Sequence, residues 1–161
     1  MPRDIRYQGA IVRDHHLLLI RHLHHGTGET YWLFPGGGRE DLETEEACVA
    51  REMSEETHLA VTVERLVLDE PTERPGVYQR RRTYLCTVAD SGEARPGYEP
   101  EVEVAELYGI AEVGWFDLRD AAAWNPDVCA DPITWPQVQR LQAALGYADA
   151  AMAAAQPAPG D

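Results

Sequence analysis

Long apolar runs are missing: the most extended aliphatic stretch is residues 17–20, far short of the roughly 20 apolar residues of a membrane-spanning helix. The opening segment MPRDIRYQG carries no apolar core of the signal-peptide kind. Cysteine is scarce, with Cys48, Cys86 and Cys129 far apart, no C-x-x-C pair and an odd number that cannot all pair within one chain. A disulfide framework is excluded, and a reducing, cytoplasmic setting without membrane association is expected. Positive charge is also in short supply: 14 basic residues face 28 acidic ones, for a formal charge of −14. Such a surface repels a phosphate backbone, so duplex nucleic acid is not an expected partner. A phosphorylated small molecule meets the same repulsion, and any site for one has to supply local positive charge from a metal ion or from arginines.

What remains is ordinary globular composition, 44% hydrophobic and 26% charged over 161 residues, enough for one domain with one core. That domain is expected over residues 1–147. Residues 148–161, rich in Ala and Pro, are too poor in large apolar side chains to join a core and are expected to be disordered. Short aliphatic runs at 5–13 and 16–22 flank the polar tetrad Arg13, Asp14, His15, His16, which reads as a hairpin. A loop at 26–30 leads to an aromatic strand at 31–34, stopped by Pro35 and three glycines. A helix is predicted from an N-cap at Thr44, with Glu45 and Glu46 in its first turn, to about Thr57. Strands follow at 60–68, 77–88 and 110–116, separated by turn-rich segments at 71–76 and 91–100. Val138, Leu141 and Leu145 give a late helix over 133–145 its apolar stripe, and Gly146 stops it. The pattern is that of an α+β or mixed α/β sandwich.

Between Gly37 and Leu59 the chain reads GGREDLETEEACVAREMSEETHL. On a helix Glu52, Glu55 and Glu56 fall at i, i+3 and i+4, so three carboxylates share one side. Like charges at that spacing cost roughly 0.2–0.5 kcal/mol per pair, and the helix dipole disfavours anions at a C-terminal end. A cation is the natural compensator, and hard oxygen donors of this kind suit Mg²⁺ or Mn²⁺, which share their remaining positions with water and substrate phosphates. Arg51, four residues before Glu55 and eight after Glu43, is placed to hold one of these carboxylates with Glu43 as its anchor. A solvated acidic face is the plainer reading of an isolated E-x-x-E-E.

The segment resembles the Nudix hydrolase family, whose box G-x5-E-x7-R-E-U-x-E-E-x-G-U (U bulky and apolar) is matched in order by Gly37, Glu43, Arg51, Glu52, Met53, Glu55, Glu56 and Leu59. His58 stands where the family has glycine, a position of common positive φ that histidine tolerates better than most residues. The resemblance implies an α/β/α sandwich with a mixed sheet over roughly residues 5–145. It also implies metal-dependent hydrolysis of a diphosphate linkage in a small nucleotide-like molecule. Glu52, Glu55 and Glu56 would be the ligands, a backbone carbonyl near Gly37 would join them, and Arg51 and Glu43 would orient the cluster. The favoured substrate is a nucleoside diphosphate derivative of the ADP-ribose or nucleotide-sugar type. Nucleoside triphosphates and dinucleoside polyphosphates are alternatives, and a non-catalytic nucleotide-binding module is the alternative of another class. Pro75 and Tyr78 point weakly to different substrates, and the accessory motif of the coenzyme A subgroup is not found. Many relatives are dimers, so a homodimer is possible.

Outside the box, the acidic residues Glu99, Glu101, Glu103, Glu106 and Glu112 are the place to seek a further base, with Glu112 the first choice. Strand alternation puts Tyr78, Arg80, Arg82 and Tyr84 on one face, where arginine and tyrosine can hold phosphate and stack on a base. His22, His24 and His25 lack accompanying ligands for a metal and read as loop residues beside the site. Tyr31, Trp32 and Phe34 read as core or pocket wall.

Overall fold

The computed structural model describes residues 4–73, 78–89, 92–98 and 108–147. Pro75, Glu99, Glu101, Glu103, Glu106 and the tail 148–161 lie outside them. The hairpin forms as β1 (Ile5–Arg13) and β2 (His16–His24). Its two strands pair only beside the turn, at Val12 with Leu17 and Arg13 with His16, where Asp14 and His15 take positive φ. Below the turn they part, and each builds its own set of partners. β1 pairs antiparallel with the two-residue β4 (Gly36–Gly37) and parallel with β6 (Arg80–Val88), which in turn pairs antiparallel with β5 (Val61–Pro71). β2 pairs antiparallel with β3 (Thr30–Leu33) and with β7 (Tyr108–Asp117). Among the described residues the result is a seven-stranded sheet, and it is mixed, as expected.

Alternation along β2 shows how the sheet is covered. Leu18 and Ile20 join one cluster with Tyr7, Ile11, Val49 and Met53, under helix α1 (Glu45–Thr57). Leu17 and Leu19 join the other with Trp32, Phe34, Phe116, Val138 and Leu141, under a late helix (Thr134–Leu145). One helix thus covers each face, the sandwich that the period-2 pattern of a sheet buried on both sides requires. The sequence gives no warning of a one-turn helix, α2 (Pro126–Cys129), capped by Asn125 Oδ1, which accepts from the Asp127 amide at 2.9 Å. The late helix is therefore α3. Among the described residues no helix is long and apolar enough to cross a membrane.

Candidate active site

Helix α1 starts where the sequence places it: Thr44 Oγ1 accepts from the Ala47 amide at 3.1 Å. It ends in a left-handed residue, His58, at φ 62° and ψ 20°, whose amide donates to the Ser54 carbonyl at 3.1 Å. Histidine therefore adopts the conformation in which the family uses glycine. Beyond it, loop 92–98 folds back on the helix end. The amides of Arg95, Gly97 and Tyr98 donate to the carbonyls of Thr57, Glu56 and Glu55 at 2.9, 2.8 and 3.0 Å, satisfying groups that a helix terminus leaves open. Only glycine fits at 97, because a Cβ there would lie 1.8 Å from the Glu55 carbonyl oxygen.

The acidic stripe is not a solvated face. Cys48, Val49, Glu52, Met53, Glu56 and Thr57 form the buried side of α1, leaving Glu52 3% and Glu56 1% exposed. Burial of two carboxylates beside methionine and valine is costly unless something compensates. Part of the compensation is visible. Arg51 donates through Nε and Nη2 to the two oxygens of Glu43 at 2.8 and 2.9 Å, a bidentate pair that fixes the guanidinium plane. Its Nη1 then bridges Glu52 and Glu55 at 3.0 and 3.2 Å, and Nη2 also donates to the Gly38 carbonyl at 3.1 Å. Glu56 Oε2 accepts from the Gly36 amide at 2.9 Å. The glycine loop reaches these carboxylates because β4 is stitched to β1, and a Cβ at Gly37 would lie 2.5 Å from Glu52 Oε1 and push that carboxylate aside.

One arginine among so many carboxylates leaves a deficit. Desolvation pushes the Glu52 carboxyl up from 4.5 to about 7, opposed by Arg51, whereas the Arg51 hydrogen bonds hold Glu43 below the usual range. The box residues are therefore brought together, but Glu52 and Glu55 are turned to Arg51 and Glu56 to the glycine loop. Among the described residues no three acidic, His or Cys side chains stand in a ready metal-ligand arrangement.

The raised Glu52 carboxyl has a consequence for stability. Between about pH 4.5 and 7 the folded chain keeps a proton that the unfolded chain gives up. The contribution of Glu52 is thus favourable below this window and declines as pH rises through it, by on the order of 3 kcal/mol in the metal-free chain. Urea midpoints of the metal-free chain across pH 4.5–7 should fall along this component, and the Glu52→Gln variant should lose it; equal slopes in both would contradict the assignment.

The other candidates are placed elsewhere. Glu112 pairs with Arg21 at 3.4 Å, opposite it in the β2–β7 register, and Arg21 lies over the Trp32 ring at 6.0 Å. Trp32 belongs to the cluster under α3, so Glu112 stands on the sheet face away from α1. β6 runs inside the sheet between β1 and β5. Arg80 donates to Asp69 at 2.5 Å, Arg82 to both oxygens of Glu45 at 2.5 and 2.7 Å, and Tyr84 OH to Glu45 at 2.8 Å. Their charge is spent on carboxylates of β5 and α1, while Tyr78 lies just outside β6. His22 and His24 are strand residues, not loop residues, because β2 extends to His24. Sequence reading passed over Arg6, whose guanidinium donates to the Phe34 carbonyl at 2.8 Å and whose charge acts on Glu52.

The NUDIX domain family matches residues 5–132. The chain belongs to that family. Its matched segment is a NUDIX domain, with the carboxylates of the box gathered by α1. A Mycobacterium tuberculosis protein named putative 8-oxo-dGTP diphosphatase 3 is 40% identical over 101 residues, 58% of this chain and 45% of the relative. The chain thus spans less than half of that relative. Among solved structures, a UDP-X diphosphatase superposes with a TM-score of 0.61 at 21% identity, covering 88% of this chain and 62% of the other. An ADP-ribose pyrophosphatase from Streptococcus suis gives 0.61 at 19% identity, covering 89% and 90%. These likenesses are of fold.

Proposed function

We propose that this Nudix domain hydrolyses a diphosphate linkage in a nucleoside diphosphate derivative of the ADP-ribose or nucleotide-sugar type, with Mg²⁺ or Mn²⁺. The observation that carries the reading is the burial of Glu52 and Glu56 on α1 beside Glu55, with Arg51 as the cation that bridges Glu52 and Glu55. Such a set holds more anionic charge than its neighbours neutralise, and its donors are hard oxygens, so it fits a divalent hard cation. Glu52, Glu55 and Glu56 would hold it, with a carbonyl near Gly37. When bound, the metal supplies Lewis acidity toward a diphosphate oxygen and an acidified water.

The chain's own residues do the rest. Glu43 fixes the Arg51 guanidinium plane, and Arg51 in turn holds Glu52 and Glu55 at defined positions. Gly36 and Gly37 let the backbone approach the carboxylates closely, and the Gly36 amide orients Glu56. Arg6 brings positive charge beside Glu52 in a chain of net −14, where an anionic substrate needs it. A nucleoside triphosphate is a second reading, favoured by the name of the 40% identical relative, an 8-oxo-dGTP diphosphatase. Product identification after incubation with ADP-ribose, UDP-sugars, dinucleoside polyphosphates and nucleoside triphosphates, with and without Mg²⁺ or Mn²⁺, decides between them. Metal-dependent release of a nucleoside monophosphate from a diphosphate sugar supports the first reading, and release of pyrophosphate from a triphosphate supports the second. No turnover of any of them would leave a nucleotide-binding module.

A further inference from the structure

His22 is 7% exposed, and among the described residues neither of its ring nitrogens has a hydrogen-bond partner. A neutral imidazole carries one N–H and one lone pair, and each buried polar group left unmatched costs roughly 1–3 kcal/mol. For packing alone a phenylalanine or leucine would serve better, so the choice of histidine calls for a partner that the described residues do not supply.

The surroundings specify that partner. β2 and β3 set His22 directly opposite Tyr31, with ring centroids 5.7 Å apart. β7 brings in Tyr108, whose ring lies 5.9 Å from His22, 6.3 Å from Tyr31 and 4.9 Å from His24. Tyr31 is 37% exposed, so the cluster opens to solvent on its side. The positive charge of Arg6, whose guanidinium donates to the Phe34 carbonyl at 2.8 Å, acts on His22 and Tyr31 as well as on Glu52, so both the aromatic cluster and the box carboxylates lie within its electrostatic reach. A neutral ring among phenols does not attract phosphate; Arg6 does. No other His, Cys, Asp or Glu converges on His22 as a metal ligand among the described residues. What fits is a flat, uncharged heteroaromatic ring with a hydrogen-bonding edge, attached to a phosphate group that the charge of Arg6 attracts.

We infer that His22 is a specificity residue that hydrogen-bonds the nucleobase edge of the substrate, with Tyr31 and Tyr108 as the stacking faces. The inference rests on the reading of the chain as a nucleotide diphosphate hydrolase and adds how the base is chosen. Burial and Arg6 hold the imidazole at about 4, so it stays neutral, with one donor and one acceptor, at neutral pH.

The test is calorimetric binding of AMP, GMP, UMP, CMP and ribose 5-phosphate to the metal-free chain and to His22→Phe, with His22→Leu in reserve should the larger ring not be accommodated. At least one mononucleotide is expected to bind the native chain about tenfold or more tightly than ribose 5-phosphate, the scale of one or two hydrogen bonds with stacking. The variant should bring the two within about threefold while melting at the same or a higher temperature. In turnover, KM for the substrate carrying that base should rise by a similar factor at nearly constant kcat. No base preference in the native chain, or a preference that survives in the variant, overturns the inference, and a lower melting temperature with preference intact marks His22 as structural. Metal-dependent cleavage without base preference would sink this inference alone. Base-specific binding without any cleavage would sink the hydrolase reading and leave His22 as the recognition residue.

Discussion

Glu56→Gln is expected to lower metal-dependent kcat by about 10³-fold or more while raising the melting temperature of the metal-free chain. The two effects have opposite signs because the same charge serves one state and burdens the other. Glu56 is 1% exposed and accepts from the Gly36 amide at 2.9 Å, and a glutamine oxygen can keep that bond. What the variant removes is an anion lying four residues from Glu52 and one from Glu55, in a cluster served by Arg51. Without metal, relief of that repulsion stabilises the helix end. With metal, a ligand is lost, and the several kcal/mol that a Lewis acid contributes correspond to about 10³-fold at 1.36 kcal/mol per decade. Thermal scans with and without Mg²⁺, run beside single-turnover assays, read both effects. A kcat within tenfold of native would remove Glu56 from the ligand set. A lowered melting temperature without metal would mean that the carboxylate is already satisfied within the fold.

The box was legible because its information is local. Spacing along one helix puts Glu52, Glu55 and Glu56 on one side, and the Thr44 cap and the left-handed His58 follow from residue chemistry within a few positions. Burial of those glutamates was not legible, since an acidic helix reads as solvated until the glycine loop is known to lie against it. That placement depends on β4 pairing with β1, a contact made by two glycines with no strand propensity of their own. The parallel pairing of β1 with β6 likewise joins Ile5 to Arg80, a separation that no periodicity reports. Glu112 illustrates the converse. It was the first choice among the acidic residues after the box, but the register sets it opposite Arg21 on the far face. The cluster of Arg6, His22, Tyr31 and Tyr108 draws on four strands, and its sequence signals were the histidines His22, His24 and His25 and the aromatic Tyr31, which nothing local joins to one another.

The arginine at the centre of the box offers the sharpest contrast with its ligands. Arg51→Met keeps most of the side-chain volume but strips donors from both oxygens of Glu43, from Glu52, from Glu55 and from the Gly38 carbonyl at one stroke. Breaking a buried pair by removing one partner costs about 3–5 kcal/mol, which for a domain of this size is a fall of roughly 10 °C in melting temperature. Arg51→Lys should recover only part of it, because a single ammonium cannot reproduce the fork that spans Glu43 and still reaches Glu52 and Glu55. Divalent metal separates the roles. In Arg51→Met the carboxylates remain and are less neutralised, so saturating Mg²⁺ should restore a larger share of the melting temperature than it adds to the native chain, even though the disordered ligands bind it about 10–100-fold more weakly. In Glu56→Gln, which has lost a ligand, the same addition should raise the melting temperature less than in the native chain. If Arg51→Met melts like the native chain, the guanidinium does not hold the cluster. If its metal-induced gain is smaller than the native one, Arg51 organises the ligands more than it neutralises them, and the charge deficit around Glu52 has another remedy.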